Sequence, residues 1–161
     1  MTGGRPNIGV LGPHHCTPEE FQLGVETGAA IARAGAALIC GGLNGMMTAA
    51  AQGAKSENGL TLGLLPGDRH DDANPHIDVA LPTGMGPFRN MLIARACHAV
   101  IAIRGGYGTL TEIAFALRLG VPVIGLRTWQ LVQDGEEDEG IRVAETPEEA
   151  VRLALSTLER G

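Results

Sequence analysis

Short apolar runs alternate along this chain with longer stretches of helical periodicity. The runs Asn7–Leu11, Ala36–Cys40, Leu60–Leu65, His76–Leu81, Ala99–Ile103 and Val121–Leu126 predict strands. Between them, Thr17–Ala34, about Gly45–Ser56, Phe88–Ala96 and Thr109–Leu119 predict helices, and a last helix is expected over Thr146–Leu158. Strands that are almost continuously apolar are buried on both faces, which requires helices above and below a parallel sheet. The pattern therefore predicts an α/β fold: a three-layer α/β/α domain around a doubly wound, Rossmann-like parallel sheet. Its core is expected over residues 7–126, followed by an acidic, solvated loop over 134–140 and the C-terminal helix.

Sheets of this kind bind ligands beyond the carboxyl ends of their strands. That rule gathers the loops Gly12–Cys16, Gly41–Gly45, the turn from Gly67 and Arg104–Gly108, with Thr83–Gly86 and the helix carrying Arg89 and Asn90 over them. The most informative loop is Gly105-Gly106-Tyr107-Gly108-Thr109-Leu110-Thr111-Glu112, which joins a strand to a helix. Glycines let the backbone approach a ligand closely, and the free amides and partial positive charge of a helix start favour an oxyanion such as phosphate. The candidate binding residues are Gly12, Gly41, Gly42, Asn44, Thr83, Gly84, Arg89, Asn90, Arg104, Gly105, Gly106, Tyr107, Gly108, Thr109 and Glu112.

Charge sharpens this expectation. The net charge is −6, yet from Val79 to Thr111 there is no Asp or Glu while Arg89, Arg95 and Arg104 fall in that window. The local field is opposite in sign to the global one. Arg89 sits among Phe88, Met91, Leu92, Ile93 and Ala94 with no acidic partner nearby in sequence, and arginine suits bidentate phosphate recognition. On this reading Arg89→Ala weakens binding and leaves the fold intact.

Glu112 has two readings. Thr109-x-x-Glu112 has the form of a capping box, in which the threonine caps an amide and the glutamate reaches back. The same pattern recurs at Thr17-x-x-Glu20 and Thr146-x-x-Glu149, each with proline in the first helical position. The third copy lacks the proline and follows a glycine turn, so a ligand role is equally open.

Other features set limits. At 161 residues and 44% hydrophobic content the chain has room for one core. The acidic balance disfavours nucleic-acid binding. The N-terminal Met1–Pro6 has no signal-peptide core and no apolar run is long enough to span a bilayer, so a cytoplasmic protein without a membrane partner is expected. Cys16, Cys40 and Cys97 are odd in number and far apart, against a disulfide framework. His14, His15 and Cys16, and the loop with His70, Asp71, Asp72 and His76, match no established zinc spacing, and no metal site is expected. The helix Thr109–Leu119 is apolar on more than one face through Ile113, Phe115, Ala116, Leu117 and Leu119, which predicts a homodimer or homotetramer that packs this helix and Phe88–Ala96 across a two-fold axis.

These motifs resemble the lysine-decarboxylase-like, or Lonely-guy-like, superfamily of Rossmann proteins, which includes cytokinin-activating phosphoribohydrolases and molybdenum cofactor carriers. The resemblance runs from about Asn7 to Leu126: Arg89-Asn90 and Arg104-Gly105-Gly106-Tyr107-Gly108-Thr109-Leu110-Thr111-Glu112 stand in register with the hydrolase signature, and Ile39–Met47 and Gly63–Pro66 also look like that family. Asn90 stands where the hydrolases have Lys, and Arg104 where they have Pro. With the short length, Thr83–Asn90 and Thr111–Leu117 look closer to the small branch containing the cofactor carriers. The resemblance implies a carrier or binding protein for a nucleotide or molybdopterin-type cofactor, with Glu112 near ribose or pterin hydroxyls. Its hydrolase alternative gives Arg89 the substrate and Glu112 the transition state or the attacking water in N-glycosidic cleavage of nucleoside 5′-monophosphates; a non-catalytic structural or regulatory protein is the third possibility. Pyridoxal phosphate is not expected, because the single lysine, Lys55, lies at a helix end outside these motifs.

Overall fold

The computed structural model describes residues 4–160, so Met1–Gly3 and Gly161 of the expected domain lie outside the described residues. The chain runs β1 (Asn7–Leu11), α1 (Pro18–Arg33), β2 (Ala37–Cys40), α2 (Met46–Ser56), β3 (Thr61–Leu65), β4 (Val79–Pro82), α3 (Arg89–Ala96), β5 (Ala99–Ile103), α4 (Tyr107–Arg118), β6 (Val123–Leu126), β7 (Leu131–Gln133), β8 (Glu136–Asp138), β9 (Ile141–Val143) and α5 (Pro147–Ser156). Seven strands form one parallel sheet in the order β4-β3-β2-β1-β5-β6-β9. The doubly wound parallel architecture expected from the apolar runs is the one observed.

Alternation along β5 divides the core. Ile101 and Ile103 pack with Ile31, Met46, Ala50 and Val151 of α1, α2 and α5, while Val100 and Ala102 pack with Ile93, Ala94, Ile113 and Ala116 of α3 and α4. Two helices on one face approach closely because both carry glycine at the contact. A Cβ on Gly28 would strike the Ala50 carbonyl, and one on Gly53 would strike the Val25 carbonyl.

Strand order reverses between β1 and β5. The first four strands proceed outward from β1 on one side, and β5, β6 and β9 on the other. Such a switch point leaves a crevice at the carboxyl ends of the two central strands. Gly12 and Arg104 are the residues immediately beyond those ends.

Two expectations are corrected. Residues 134–140 are not all loop: Glu136–Asp138 pairs antiparallel with Leu131–Gln133, and Asp134 and Gly135 hold positive φ of 55° and 83° in the two-residue turn between them. Asp-Gly is a favoured hairpin turn, and the surrounding carboxylates hid it. β9 extends the sheet but buries only Ile141, so no apolar run announces it. β4 also begins three residues later than expected, at Val79.

Candidate functional site

Among the helices, the fourth is the one whose start departs most from the sequence reading. It begins on Tyr107 with Gly106 as its N-cap and has no side-chain cap. Thr109 is thus inside the helix rather than capping it, and the Thr109–Glu112 capping box does not form. α1 shows the contrast. There Thr17 Oγ1 accepts from the Glu20 amide at 3.2 Å and the Glu20 carboxylate accepts from the Thr17 amide at 3.0 Å. In α5, Thr146 accepts from the Glu149 amide while the Glu149 carboxylate turns to the Glu145 amide instead. In α4 the first helical hydrogen bond runs from the Leu110 amide to the Gly106 carbonyl, so the amides before it remain the open end of a helix dipole.

That open end borders a cavity of about 470 Å³ at the switch point, lined by Val10, Leu11, Gly12, Pro13, His14, His15, Gly41, Met47, Pro87, Arg89, Asn90, Gly106, Gly108, Thr109 and Glu112. Gly12 and Gly41 are needed for close approach. A Cβ on Gly12 would meet Met46 and the Ile103 carbonyl, and one on Gly41 would meet Met47 and the Arg89 guanidinium.

Arg89 is buried, with 6% of its surface exposed. Its Nη1 donates to the Gly41 carbonyl at 2.6 Å and to the Leu64 carbonyl, and its Nε donates to Asn90 Oδ1 at 3.1 Å. The guanidinium therefore ties the ends of β2 and β3 to α3. It brings positive charge to the cavity wall with much of its donor fork already committed. Burial lowers its pKa from the ordinary arginine value, and the nearby Glu112 charge opposes that shift. Burial likewise lifts the Glu112 carboxyl to about 7, with Arg89 pulling the other way. The cavity wall thus brings together a carboxyl lifted to about 7, a buried cation and an uncapped helix N-terminus.

Other predicted residues fall outside this cavity lining. Gly42 holds φ +76° and its carbonyl accepts from the Asn74 amide, so it shapes the turn after β2. Asn44 is exposed. Thr83 donates to the Leu65 carbonyl and accepts from the Met85 amide, and Gly84 holds φ +63°; both build the turn after β4. Tyr107 is 81% exposed and stacks on Trp129 with ring centroids 5.8 Å apart. Arg104 and Gly105 line an adjoining depression with Pro13, His15, Glu20, Arg127, Thr128, Trp129 and Gln130. The sequence reading passed over His14, His15, Met47 and Trp129 as site residues. The two histidines directly follow the Gly12-Pro13 turn of β1, which was the available signal.

Lys55 does not line the cavity; its ammonium donates to the Gly59 carbonyl at 3.0 Å and to Asp78 at 2.8 Å. Cys16, Cys40 and Cys97 are free thiols. Among the described residues no group of three or more His, Cys, Asp or Glu is arranged to hold a metal ion, and no helix is long and apolar enough to cross a membrane.

Comparison with known proteins gives consistent likenesses. Residues 5–151 match the SLOG cluster4 family. The fold superposes on the molybdenum cofactor binding protein from Rippkaea orientalis with a TM-score of 0.87 and 34% identity, covering 98% of this chain and 99% of that one. The molybdenum cofactor carrier protein from Chlamydomonas reinhardtii superposes with a TM-score of 0.83 and 28% identity, covering 97% of this chain and 99% of that one. An uncharacterized protein from Archaeoglobus fulgidus is 42% identical over 150 residues, 93% of this chain and 95% of that protein.

Proposed function

The chain belongs to the SLOG cluster4 family, and from that premise we propose that it is a carrier that binds a phosphate-bearing cofactor of the molybdopterin type, or a nucleotide, in the cavity at the β1–β5 switch point. One observation carries this reading: α4 alone among the three helices with a Thr-x-x-Glu start leaves its first turn uncapped, and Gly106, Gly108 and Thr109 of that turn line the cavity. Helix N-termini with free amides are anion sites. The phosphate belongs at those amides. Glu112 and Asn90, in the same lining, can pair with the polar edge of a pterin or base, and the cavity volume lies in the range of small-ligand pockets. The likeness to molybdenum cofactor binding proteins over nearly the whole chain favours the cofactor over a free nucleotide.

Native mass spectrometry of protein purified from a host that makes the cofactor tests the proposal, with the released ligand oxidised and its pterin read by fluorescence. A retained phosphorylated pterin supports it. Protein that carries no ligand and takes none up from cofactor released by a donor enzyme overturns it.

One observation favours a second reading. A carboxyl poised at about 7 is suited to general acid–base work, which is what N-glycosidic cleavage requires of Glu112. Base release from a panel of nucleoside monophosphates, wild type against Glu112→Gln, separates the two. A carrier releases none in either form, whereas robust wild-type release that disappears in the variant establishes the phosphoribohydrolase.

A further inference from the structure

Two arginines stand beyond the carboxyl ends of neighbouring strands in a backbone conformation that arginine avoids. Arg104 follows β5 with φ +50° and Arg127 follows β6 with φ +51°. The two strands are in register, Ile103 opposite Leu126, so the arginines occupy matching positions side by side. Left-handed backbone is costly for residues with a Cβ, and two adjacent cases mark a place where something other than stability chose the residue. Both side chains line the depression of about 560 Å³ that adjoins the main cavity, and Pro13 and His15 belong to both linings.

Their protein partners hold them loosely. Arg127 Nη1 lies 2.7 Å from Glu19, but those side chains are 54% and 74% exposed. Arg104 Nε lies 3.7 Å from Glu20, a carboxylate that already accepts from the Thr17 amide at the start of α1. Exposed ion pairs of this kind exchange readily for a better anion. The surrounding frame is firm by contrast: the Thr128 hydroxyl donates to the Arg104 carbonyl at 2.6 Å, and the Trp129 indole donates to the Gly106 carbonyl at 3.2 Å while stacking on Tyr107.

We propose that Arg104 and Arg127 form a second oxyanion site beside the α4 N-terminus, taking a tetrahedral phosphoryl or metal-oxo group. Two guanidiniums presented from a paired strand end supply several donors in a fixed spacing, which fits a tetrahedral oxyanion better than a single carboxylate. A ligand that reaches both sites carries two anionic centres, one at the helix start and one at the arginine pair.

Trp129 is the chain's one tryptophan and lines this site, so its emission reports occupancy. The experiment titrates the protein with inorganic phosphate and, separately, with molybdate, at ionic strength held constant with chloride. A saturable change in emission is expected with at least one of them, and the stronger of the two identifies the group. Arg104→Gln and Arg127→Gln each raise the dissociation constant at least tenfold. Arg104→Gly and Arg127→Gly do the same while leaving the melting temperature unchanged or higher, because glycine accepts the left-handed backbone; that pair keeps binding loss separate from misfolding. Arg152→Gln, at an exposed arginine of α5 outside both linings, removes the same charge and shifts the titration less than twofold. No saturable change with either anion, or affinities within twofold of wild type in the arginine variants, overturns the site. A retained cofactor alongside that failure leaves the carrier reading standing, and an arginine-dependent titration in protein that never takes up cofactor leaves only the second site.

Discussion

Glu112 holds its proton more tightly in the folded chain than in the unfolded one, since burial lifts it from the ordinary 4.5 to about 7. Between those values the native state binds more protons, so stability falls as pH rises. The contribution is whole below pH 4.5 and is lost as the pH passes about 7. A shift of that size corresponds to on the order of 3 kcal/mol. Urea denaturation of Glu112→Gln is therefore expected to show a flatter stability profile from pH 5 to 8, with a gain of about 2 kcal/mol over wild type at pH 8. Ligand binding carries the same sign: an anion at the α4 start is repelled by ionised Glu112, so affinity rises as pH falls through 7, and comparison with Glu112→Gln subtracts the ligand's own titration. Arg89 gives the opposite lesson. Sequence marks it as a phosphate ligand whose loss spares the fold, but its guanidinium serves the Gly41 and Leu64 carbonyls. Arg89→Ala leaves buried acceptors without a donor and is expected to cost about 2 to 4 kcal/mol in denaturant titration, with Arg89→Lys recovering less than half because ammonium lacks the fork. The apolar neighbours of Arg89 are legible in the sequence; nothing local predicts its burial or which distant carbonyls it meets.

At the scale of elements, apolar runs and helical periodicity were enough to find six strands and the five α-helices among the described residues, and the central strands are the plainest because burial on both faces writes itself into consecutive residues. The strand and hairpin that escaped lie where it does not: β9 buries one side chain and β7–β8 almost none. The α4 start escaped for another reason. Thr-x-x-Glu is a sufficient cap signal at Thr17, but at Thr109 the glycines upstream allow the helix to begin two residues earlier, and only the three-dimensional path decides between the two. The α1–α2 contact was likewise silent in sequence, since Gly28 and Gly53 read as weak helix positions until their helices are seen to touch. Gly28→Ala or Gly53→Ala drives a methyl group against a backbone carbonyl of the partner helix. Each is expected to destabilise by on the order of 2 to 3 kcal/mol in thermal or urea unfolding, against the gain of up to 1 kcal/mol that Gly-to-Ala gives in a free helix. A stabilising result would mean that the helices do not approach this closely.

For the whole molecule, the family likeness was legible because the Gly105–Glu112 motif and its spacing from Arg89 survive intact, and the family match and superpositions bear it out. Assembly is expected from the apolar faces of α4 together with the Phe88–Ala96 helix, and side-chain exposure at the start of the latter makes that expectation more specific. Phe88 is 71% exposed at the start of α3, with Met85 and Met91 at 41% and Leu81 at 42% near it in sequence. We propose that these exposed apolar side chains, on an otherwise acidic chain, form a self-association surface. A closed homodimer or homotetramer is expected by light scattering at micromolar concentration, and Phe88→Asp is expected to shift it to monomer, because a charge at the centre of an apolar interface is left unpaired on both copies of a two-fold contact. Phe88 lies between Pro87 and Arg89, both of which line the cavity, so an assembly that covers the exposed ring is expected to hold the turn that closes one wall of the site. Association and ligand binding are then linked, and any ligand that prefers the assembled form tightens assembly by the same factor. Sedimentation of wild type and Phe88→Asp with and without ligand measures that factor. A wild-type monomer at micromolar concentration contradicts the assembly, and a Phe88→Asp monomer with undiminished ligand affinity contradicts the linkage.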